Sequence, residues 1–334
     1  MGGDAAPLMV VKGLVAASER YPSVHFLVYG DKNAVEPLLA LEKTLADKVT
    51  FVACTEEITP DTKPSAALRG FPDSSMRQAI KAVADGKAQG VISAGNTGAY
   101  MALAKLLLRT MPGIDRPALA GLAPTLRGEV VLLDLGANVE CSAKNLEQFA
   151  IMGEMFARHV LNLPSPKVGL VNVGSEDIKG SPIVKEAADL IRESSIQDNF
   201  HGFIEGDDIT RGTIDVAVMD GFTGNVVLKA GEGVMHLALQ YFKEAFKSSW
   251  TARLGYLLAA PMLRKLALRL DYRRLNGAIW LGLNGVAIKS HGGTDALGFA
   301  HAIDVAVDIV ESKMNEYLLN EFAVEAPLKE AANQ

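Results

Sequence analysis

The sequence predicts a three-layer α/β/α fold with a mostly parallel central sheet. Three observations lead there. Four apolar runs of strand length, at 90–98, 130–138, 168–174 and 216–225, close in small turns rich in Gly and Asn. Unbroken apolar runs of this kind are the mark of strands buried on both faces. Each run is followed by a helix-period pattern, and strands alternate with helices along most of the 334 residues. The composition, 49% hydrophobic and 22% charged, is that of an ordinary globular chain.

In order, residues 8–20 read as a helix, 25–30 as a strand ending in Gly30, 33–46 as a helix and 49–54 as a short strand. The polar, Pro-containing stretch 55–72 reads as a loop. Asp73 or Ser74 is placed to cap a helix running through Asp85. The four Gly/Asn-ended strands come next, alternating with helices near 99–111, 143–161, 181–194 and 226–247. Residues 250–275 break the alternation, being both apolar and basic. One more strand and turn is expected at 285–292, a long closing helix at 295–322, and a frayed tail at 323–334. The chain is therefore expected to be one domain over 1–322, with an amphipathic helical excursion protruding at 248–275.

Composition also excludes. Two cysteines, Cys54 and Cys141, provide neither a disulfide framework nor a metal cluster and suit a reducing cytoplasm. The N-terminus lacks a signal-peptide profile, and no apolar run is long enough to span a bilayer. A net charge of −6 argues against nucleic acid as a partner. That charge is uneven: 241–276 holds eight basic residues against two acidic ones, leaving −12 on the rest of the chain.

In a parallel sheet the strand ends share one edge, where open α/β folds bind their ligands. Glycine admits backbone N–H groups close to a ligand there, and the helix N-terminus that follows favours an anion. The four turns thus predict a pocket for an anion such as phosphate, although none is a dinucleotide or P-loop fingerprint. Asn96, Asn138, Asn172 and Asn225 stand at equivalent strand ends and offer neutral donors. Asp134 and Asp220 end strands before Gly turns, and either cap backbone N–H groups or serve as metal ligand or base. The lack of a third suitably spaced acid favours capping. Lys179 and Lys229 either neutralise an anion or developing oxyanion, or are simply solvated. His291, between a strand and Gly292-Gly293, is placed as a general acid or base. Cys141 reads as a nucleophile or, more simply, a small buried thiol.

The 250–275 stretch combines Trp250, Leu254, Leu257, Leu258, Met262 and Leu263 with arginines and lysines, a pattern suited to an anionic membrane surface. Pro261 is expected to split it into two short helices, and Arg264-Lys265 forbids spanning. A dimer interface or an internal helical hairpin is the competing reading.

Five strings carry a resemblance: Met-Gly-Gly-Asp at 1–4, Ser-Ala-Gly-Asn-Thr-Gly-Ala at 93–99, Asp-Leu-Gly-Ala-Asn at 134–138, Asp-Gly-Phe-Thr-Gly-Asn at 220–225 and Ile-Lys-Ser-His-Gly at 288–292. Together, and in this order, they resemble the bacterial phosphate acyltransferase (PlsX) family. The resemblance implies transfer of a fatty acyl chain from the acyl-carrier-protein thioester to inorganic phosphate, for phospholipid synthesis. It implies a homodimer with a fold akin to phosphotransacetylases and isopropylmalate dehydrogenases. It further implies a cytoplasmic enzyme resting on the membrane, whose product feeds a membrane glycerol-3-phosphate acyltransferase. No metal and no resident cofactor are expected, because phosphopantetheine arrives on the carrier protein.

Set beside the turns, the expected binding positions are Gly3, Asp4, Gly95, Asn96, Thr97, Gly98, Asp134, Gly136, Asn138, Asn172, Gly174, Asp220, Gly221, Thr223 and Gly224. The expected catalytic positions are Lys179, Lys229, Asn225 and His291. Two departures from the family pattern matter. The short apolar strand that precedes Met-Gly-Gly-Asp is not in this sequence, so one strand of the sheet is expected to be missing. The family's basic stretch before Ser-Ser-Met is reduced to Arg69. A phosphotransacetylase acting on acyl-CoA and a non-catalytic lipid- or membrane-binding protein are the alternatives. A dehydrogenase would need an acidic metal cluster that the sequence does not offer.

Overall fold

The computed structural model describes the backbone of residues 1–269 and 271–332, with side chains for all of these except 268, 269, 272, 274 and 324–332. The chain runs α1 (Leu8–Arg20), β1 (Phe26–Gly30), α2 (Lys32–Leu41), β2 (Val49–Ala53), α3 (Pro64–Arg69), α4 (Ser75–Ala84), β3 (Gly90–Ser93) and α5 (Thr97–Leu108). A hairpin of β4 (Ala118–Pro124) and β5 (Glu129–Leu133) follows, then α6 (Ala143–His159), β6 (Val168–Val171), α7 (Pro182–Arg192), β7 (Phe200–Ile204), α8 (Asp208–Arg211) and β8 (Val216–Val218). The remainder is α9 (Gly221–Lys247), α10 (Trp250–Arg269), β9 (Ala278–Leu281), β10 (Val286–Lys289), α11 (Ala296–Glu311) and α12 (Met314–Ala332).

Helix starts follow local chemistry. Asp31, Ser74, Asn96, Ser142, Ser181, Asp220 and Asp295 each accept a first-turn backbone N–H through the side chain. Ser142 and Asn145 form a reciprocal capping box at α6.

Eight strands form one sheet in the order β3-β10-β9-β4-β5-β8-β6-β7, and β1 pairs with β2 in a separate parallel ribbon. Helices cover both faces. Val131 and Leu133 point into a core built with Phe149 and Met152 of α6, Ile191 of α7 and Ile309 of α11. Val130 and Leu132 point the other way, toward Ile80 of α4, Tyr100 and Leu103 of α5 and Leu228 of α9. The three layers are as expected, but the sheet is mixed. β9 runs antiparallel to both β10 and β4, and β4 antiparallel to β5, while the other four pairings are parallel. β4 escapes a sequence reading because Ala-Leu-Ala-Gly-Leu-Ala-Pro lacks any β-branched or aromatic residue.

Other departures are local. The expected loop at 55–72 contains α3, and α9 starts at Gly221 rather than near 226. The closing helix is two, α11 and α12, separated at Ser312-Lys313, where Lys313 takes a positive φ of 55°. The segment expected to fray continues as helix to Ala332. Pro261 does not divide its segment: α10 runs unbroken through it, forgoing one backbone hydrogen bond. α9 and α10 form a hairpin in which Phe246 meets Tyr256 edge-on, with ring centroids 5.5 Å apart. Among the described residues no helix is long and apolar enough to cross a membrane.

Between β1 and β3, which do not pair, lies an apolar slot of about 520 Å³. Val11 and Leu14 of α1 and Phe299 and Ile303 of α11 line it, as do Met76 and Ala79 of α4. Met1 packs against Gly30 at the C-terminal end of β1, and Gly2 against Gly95 just past the end of β3. The slot therefore has the free edges of two strands for walls, which is the place a further strand would take.

Candidate functional site

Because β9 and β4 reverse the strand direction in mid-sheet, β3 and β10 end on one edge while β5, β6, β7 and β8 end on the other. The expectation that all four Gly/Asn turns meet along one edge is thereby corrected. They form two clusters, one at each edge of the sheet.

The first cluster joins the N-terminal turn, the 94–98 turn and the end of β10. Asp4 N–H donates to the Gly292 carbonyl at 2.8 Å. Gly2, at φ +87°, lies so close to Gly95 that a Cβ would stand 2.8 Å from its Cα. Gly3, Asp4, Gly95, Asn96, Thr97, Gly98 and His291 are thus neighbours along this edge. Asn96 caps α5 through Oδ1 and donates Nδ2 to the carbonyls of Thr59, Pro60 and Thr62, so its amide is committed to holding that loop. His291 is exposed, and its Nδ1 accepts from Gly293 N–H at 3.1 Å. That bond places the proton of the neutral ring on Nε2, as a donor toward solvent.

The second cluster is built where α9 begins. Gly221 N–H donates to the Asn138 carbonyl at 2.7 Å, and a Cβ on Gly224 would stand 1.8 Å from the Asp134 carbonyl oxygen. Only glycine permits this approach, which presses the first turn of α9 onto the 134–138 turn. Asp134 is fully buried and accepts from the N–H groups of Leu119, Gly136, Ala137 and Asn138 and from Asn138 Nδ2. Burial pushes its carboxyl above the usual range, and these donors oppose the shift. Donors aimed from all sides identify it as a structural carboxylate that organises the turn. Asp220 likewise caps α9, accepting from Thr223 N–H at 2.7 Å. Both aspartates are caps, and among the described residues no three His, Cys, Asp or Glu side chains gather as metal ligands.

The four asparagines divide sharply. Asn138 spends Nδ2 on Pro117 and Asp134, and Asn172 spends Nδ2 on the carbonyls of Gly174 and Lys179. Asn225 is exposed beside Gly136, and its amide bonds to nothing among the described residues. The lysines are less free than expected. Lys179 pairs with Glu176 at 2.8 Å, which holds its ammonium above the ordinary value, and Lys229 pairs with Glu232 at 3.3 Å. Both are exposed. The Cys141 thiol donates to the Asn138 carbonyl, and burial, followed by the Asp134 charge, pushes it up to about 12. It is a thiol at neutral pH and no nucleophile.

Beside this cluster opens a cleft of about 830 Å³ that includes Arg116, Ser142, Ser181 and Asp220. Asp115 and Glu140 also line it, so three carboxylates face one guanidinium. The N-termini of α6 and α7 reach it already capped by their serines. The sequence signals for these positions were the Ser-x-x-Asn capping box and Ser-Pro, both of which read as helix starts rather than as site residues.

A model of the family described as "Fatty acid synthesis protein" matches residues 1–317. The chain belongs to this family. It is 54% identical over 333 residues to the phosphate acyltransferase of Acidiphilium cryptum (strain JF-5), covering 100% of this chain and 87% of that protein. It is 55% identical to that of Rhodospirillum centenum (strain ATCC 51521 / SW), covering 99% and 94%. In fold, this member of the fatty acid synthesis protein family is similar to a phosphotransacetylase from Streptococcus pyogenes, with TM-score 0.60 and 17% identity over 90% of this chain and 91% of that one. It is also similar to a branched-chain phosphotransacylase from Enterococcus faecalis V583, with TM-score 0.55 and 13% identity over 92% and 96%. These likenesses establish the α/β/α fold type.

Proposed function

We propose that this chain transfers a fatty acyl group from acyl-carrier protein to inorganic phosphate, supplying an acyl phosphate for phospholipid synthesis. Family membership and the naming of its relatives as phosphate acyltransferases support the reaction class. The observation that carries the chemistry is Asn225. Of the four turn asparagines it alone keeps an unbonded amide among the described residues, at the start of the second turn of a 27-residue helix whose first turn is locked against the 134–138 turn. A neutral donor fixed at a helix N-terminus suits the oxyanion of a tetrahedral intermediate.

In the step itself a phosphate oxygen attacks the thioester carbonyl carbon. A C–O bond forms, the C–S bond breaks, and the proton of monohydrogen phosphate ends on the departing thiolate. Acyl phosphate and the free phosphopantetheine thiol result. Phosphate is a competent nucleophile once positioned, so no acyl-enzyme is required, in keeping with the protonated Cys141. Lys179 and Lys229, tied to Glu176 and Glu232, contribute long-range charge only after releasing those partners.

The protein is mixed with palmitoyl-carrier protein, and thiol release is followed with and without phosphate. Release only with phosphate is expected, slowed by Asn225→Ala by roughly one to three orders of magnitude. Release independent of phosphate overturns the assignment, and full turnover in Asn225→Ala removes that residue from it. Substituting palmitoyl-CoA as donor separates this reading from a phosphotransacetylase-like one.

A cytoplasmic homodimer resting on an anionic membrane, near the membrane acyltransferase that consumes its product, is part of the same proposal. Its support is the α9–α10 hairpin. Leu254, Leu257, Leu258 and Met262 are 51–79% exposed, with only Leu263 partly buried. Arg253, Arg264 and Lys265 interleave with them. The apolar and basic character read from the sequence is thus presented outward.

A further inference from the structure

The cleft beside the second cluster keeps much of its hydrogen-bonding capacity unspent. Asn145 of α6 is only 4% exposed and forms part of its wall. Oδ1 of that amide accepts Ser142 N–H in the capping box, while Nδ2 has no partner among the described residues. A buried amide donor left open on a cleft wall lacks the acceptor that burial demands.

Acceptors are spare as well. The exposed carboxylates of Asp115 and Glu140 line the cleft and receive no donor among the described residues. The Ser142 and Ser181 hydroxyls each accept a helix N–H and keep their own protons to donate. Between these polar groups stand Val139, Leu146, Ile183 and Val184. The volume, about 830 Å³, is that of a small-molecule site.

Such a lining discriminates among ligands. Carboxylates at Asp115, Glu140 and Asp220 repel phosphate and any other anion. A bare alkyl chain would strip water from those groups and from Asn145 without returning a hydrogen bond. What matches is a neutral chain that carries N–H, O–H and C=O groups with aliphatic carbon between them. The pantetheine arm, with two amides, a hydroxyl and a gem-dimethyl unit, is a chain of this kind.

Its place in the fold agrees. Cys141 and Asp220 both line the cleft. The Cys141 thiol donates to the Asn138 carbonyl, which also accepts from Gly221 N–H, next to Asp220. Asn225 stands against Gly136 of the same turn. The cleft wall and the oxyanion donor are therefore both seated on the 134–138 turn.

We propose that this cleft binds the neutral pantetheine segment of the acyl donor, with Asn145 Nδ2 donating to one of its amide carbonyls. The proposal rests on the function given above and assigns the donor's arm a place. The carboxylates keep the anionic phosphodiester end outside.

Asn145→Asp keeps the oxygen that caps α6 and removes the Nδ2 donor. Its KM for palmitoyl-carrier protein is expected to rise roughly tenfold, the loss of one hydrogen bond. The KM for inorganic phosphate stays within about twofold. An unchanged KM for the carrier protein, or an equal rise in both, overturns the proposal. Hydrogen exchange on the unaltered protein guards against a variant that fails to fold. S-acetylpantetheine is expected to slow exchange of amides in 139–146 and 181–184, and sodium palmitate is not. No protection, or protection by palmitate alone, also overturns it. This measurement requires no acyl transfer, so protection without phosphate-dependent thiol release would sink the proposed reaction and leave the arm's site standing.

Discussion

Asn96, Asn138 and Asn172 spend their amides on the protein's own carbonyls and carboxylates, while Asn225 keeps its own free. Residue type and position could not separate them, because a turn-stapling asparagine and a ligand-binding one have the same sequence signature. Lysine behaves in the opposite way. Lys179 and Lys229 looked functional because they follow Gly/Asn turns, and both are exposed partners of nearby glutamates. Lys289 sits buried in an apolar strand, where a cation has no packing reason to be, and the sequence reading passed over it. It has a consequence for stability. With its folded pKa near 8, below the ordinary 10.5, the unfolded chain binds the extra proton between those values. Stability therefore rises as pH climbs through that window, and the burial penalty, roughly 3 kcal/mol, is fully present below it. Urea unfolding of the ligand-free protein from pH 7.5 to 10.5 is expected to show this slope relative to Lys289→Met. Parallel pH profiles for the two proteins would refute it.

At the scale of elements, periodicity made α1, α4, α6 and α7 readable within a few residues, and Ser74, one of the two caps expected for α4, does cap it. What failed was anything set by tertiary contact. α10 passes through Pro261, at which the sequence rule ends or kinks a helix, and α9 begins at glycines that ordinarily disfavour helix. Gly221 and Gly224 are there because α9 must touch the 134–138 backbone, a demand that no local propensity encodes. The outer part of the same hairpin was read correctly as apolar and basic, since exposure leaves composition as the main determinant. Leu257 and Leu258 are 68% and 79% exposed, and full burial of such side chains is worth about 2 kcal/mol each. Replacing both with Glu is expected to abolish flotation with anionic liposomes while phosphate-dependent thiol release in solution persists. Flotation unchanged from the parent would dispose of the membrane role.

For the whole molecule, the three layers were legible because alternation of strands and helices admits few other arrangements. Strand direction was not. Three strands, β4, β7 and β9, went unread, and β4 and β9 split the four Gly/Asn turns between two edges, which the four parallel-looking motifs gave no means to foresee. The slot between β1 and β3 is the other whole-molecule feature, and it makes a quantitative demand. Two strand edges face one another across about 520 Å³ of mostly apolar lining with their ladder hydrogen bonds unmade. The ends of β1 and β3 both lie against the Met1–Gly2 turn, so chain entering the slot toward Met1 would run parallel to both. A variant with about five β-branched residues fused ahead of Met1 should insert them as a strand, bury apolar surface and join the two sheets. The expected gain is a few kcal/mol, which raises Tm by roughly 5 °C or more for a chain of this size. Slowed hydrogen exchange at β1 and β3 amides should accompany it. A polar extension of equal length supplies the control. Equal Tm values and equal exchange for the two extensions would mean that the slot does not accept a strand.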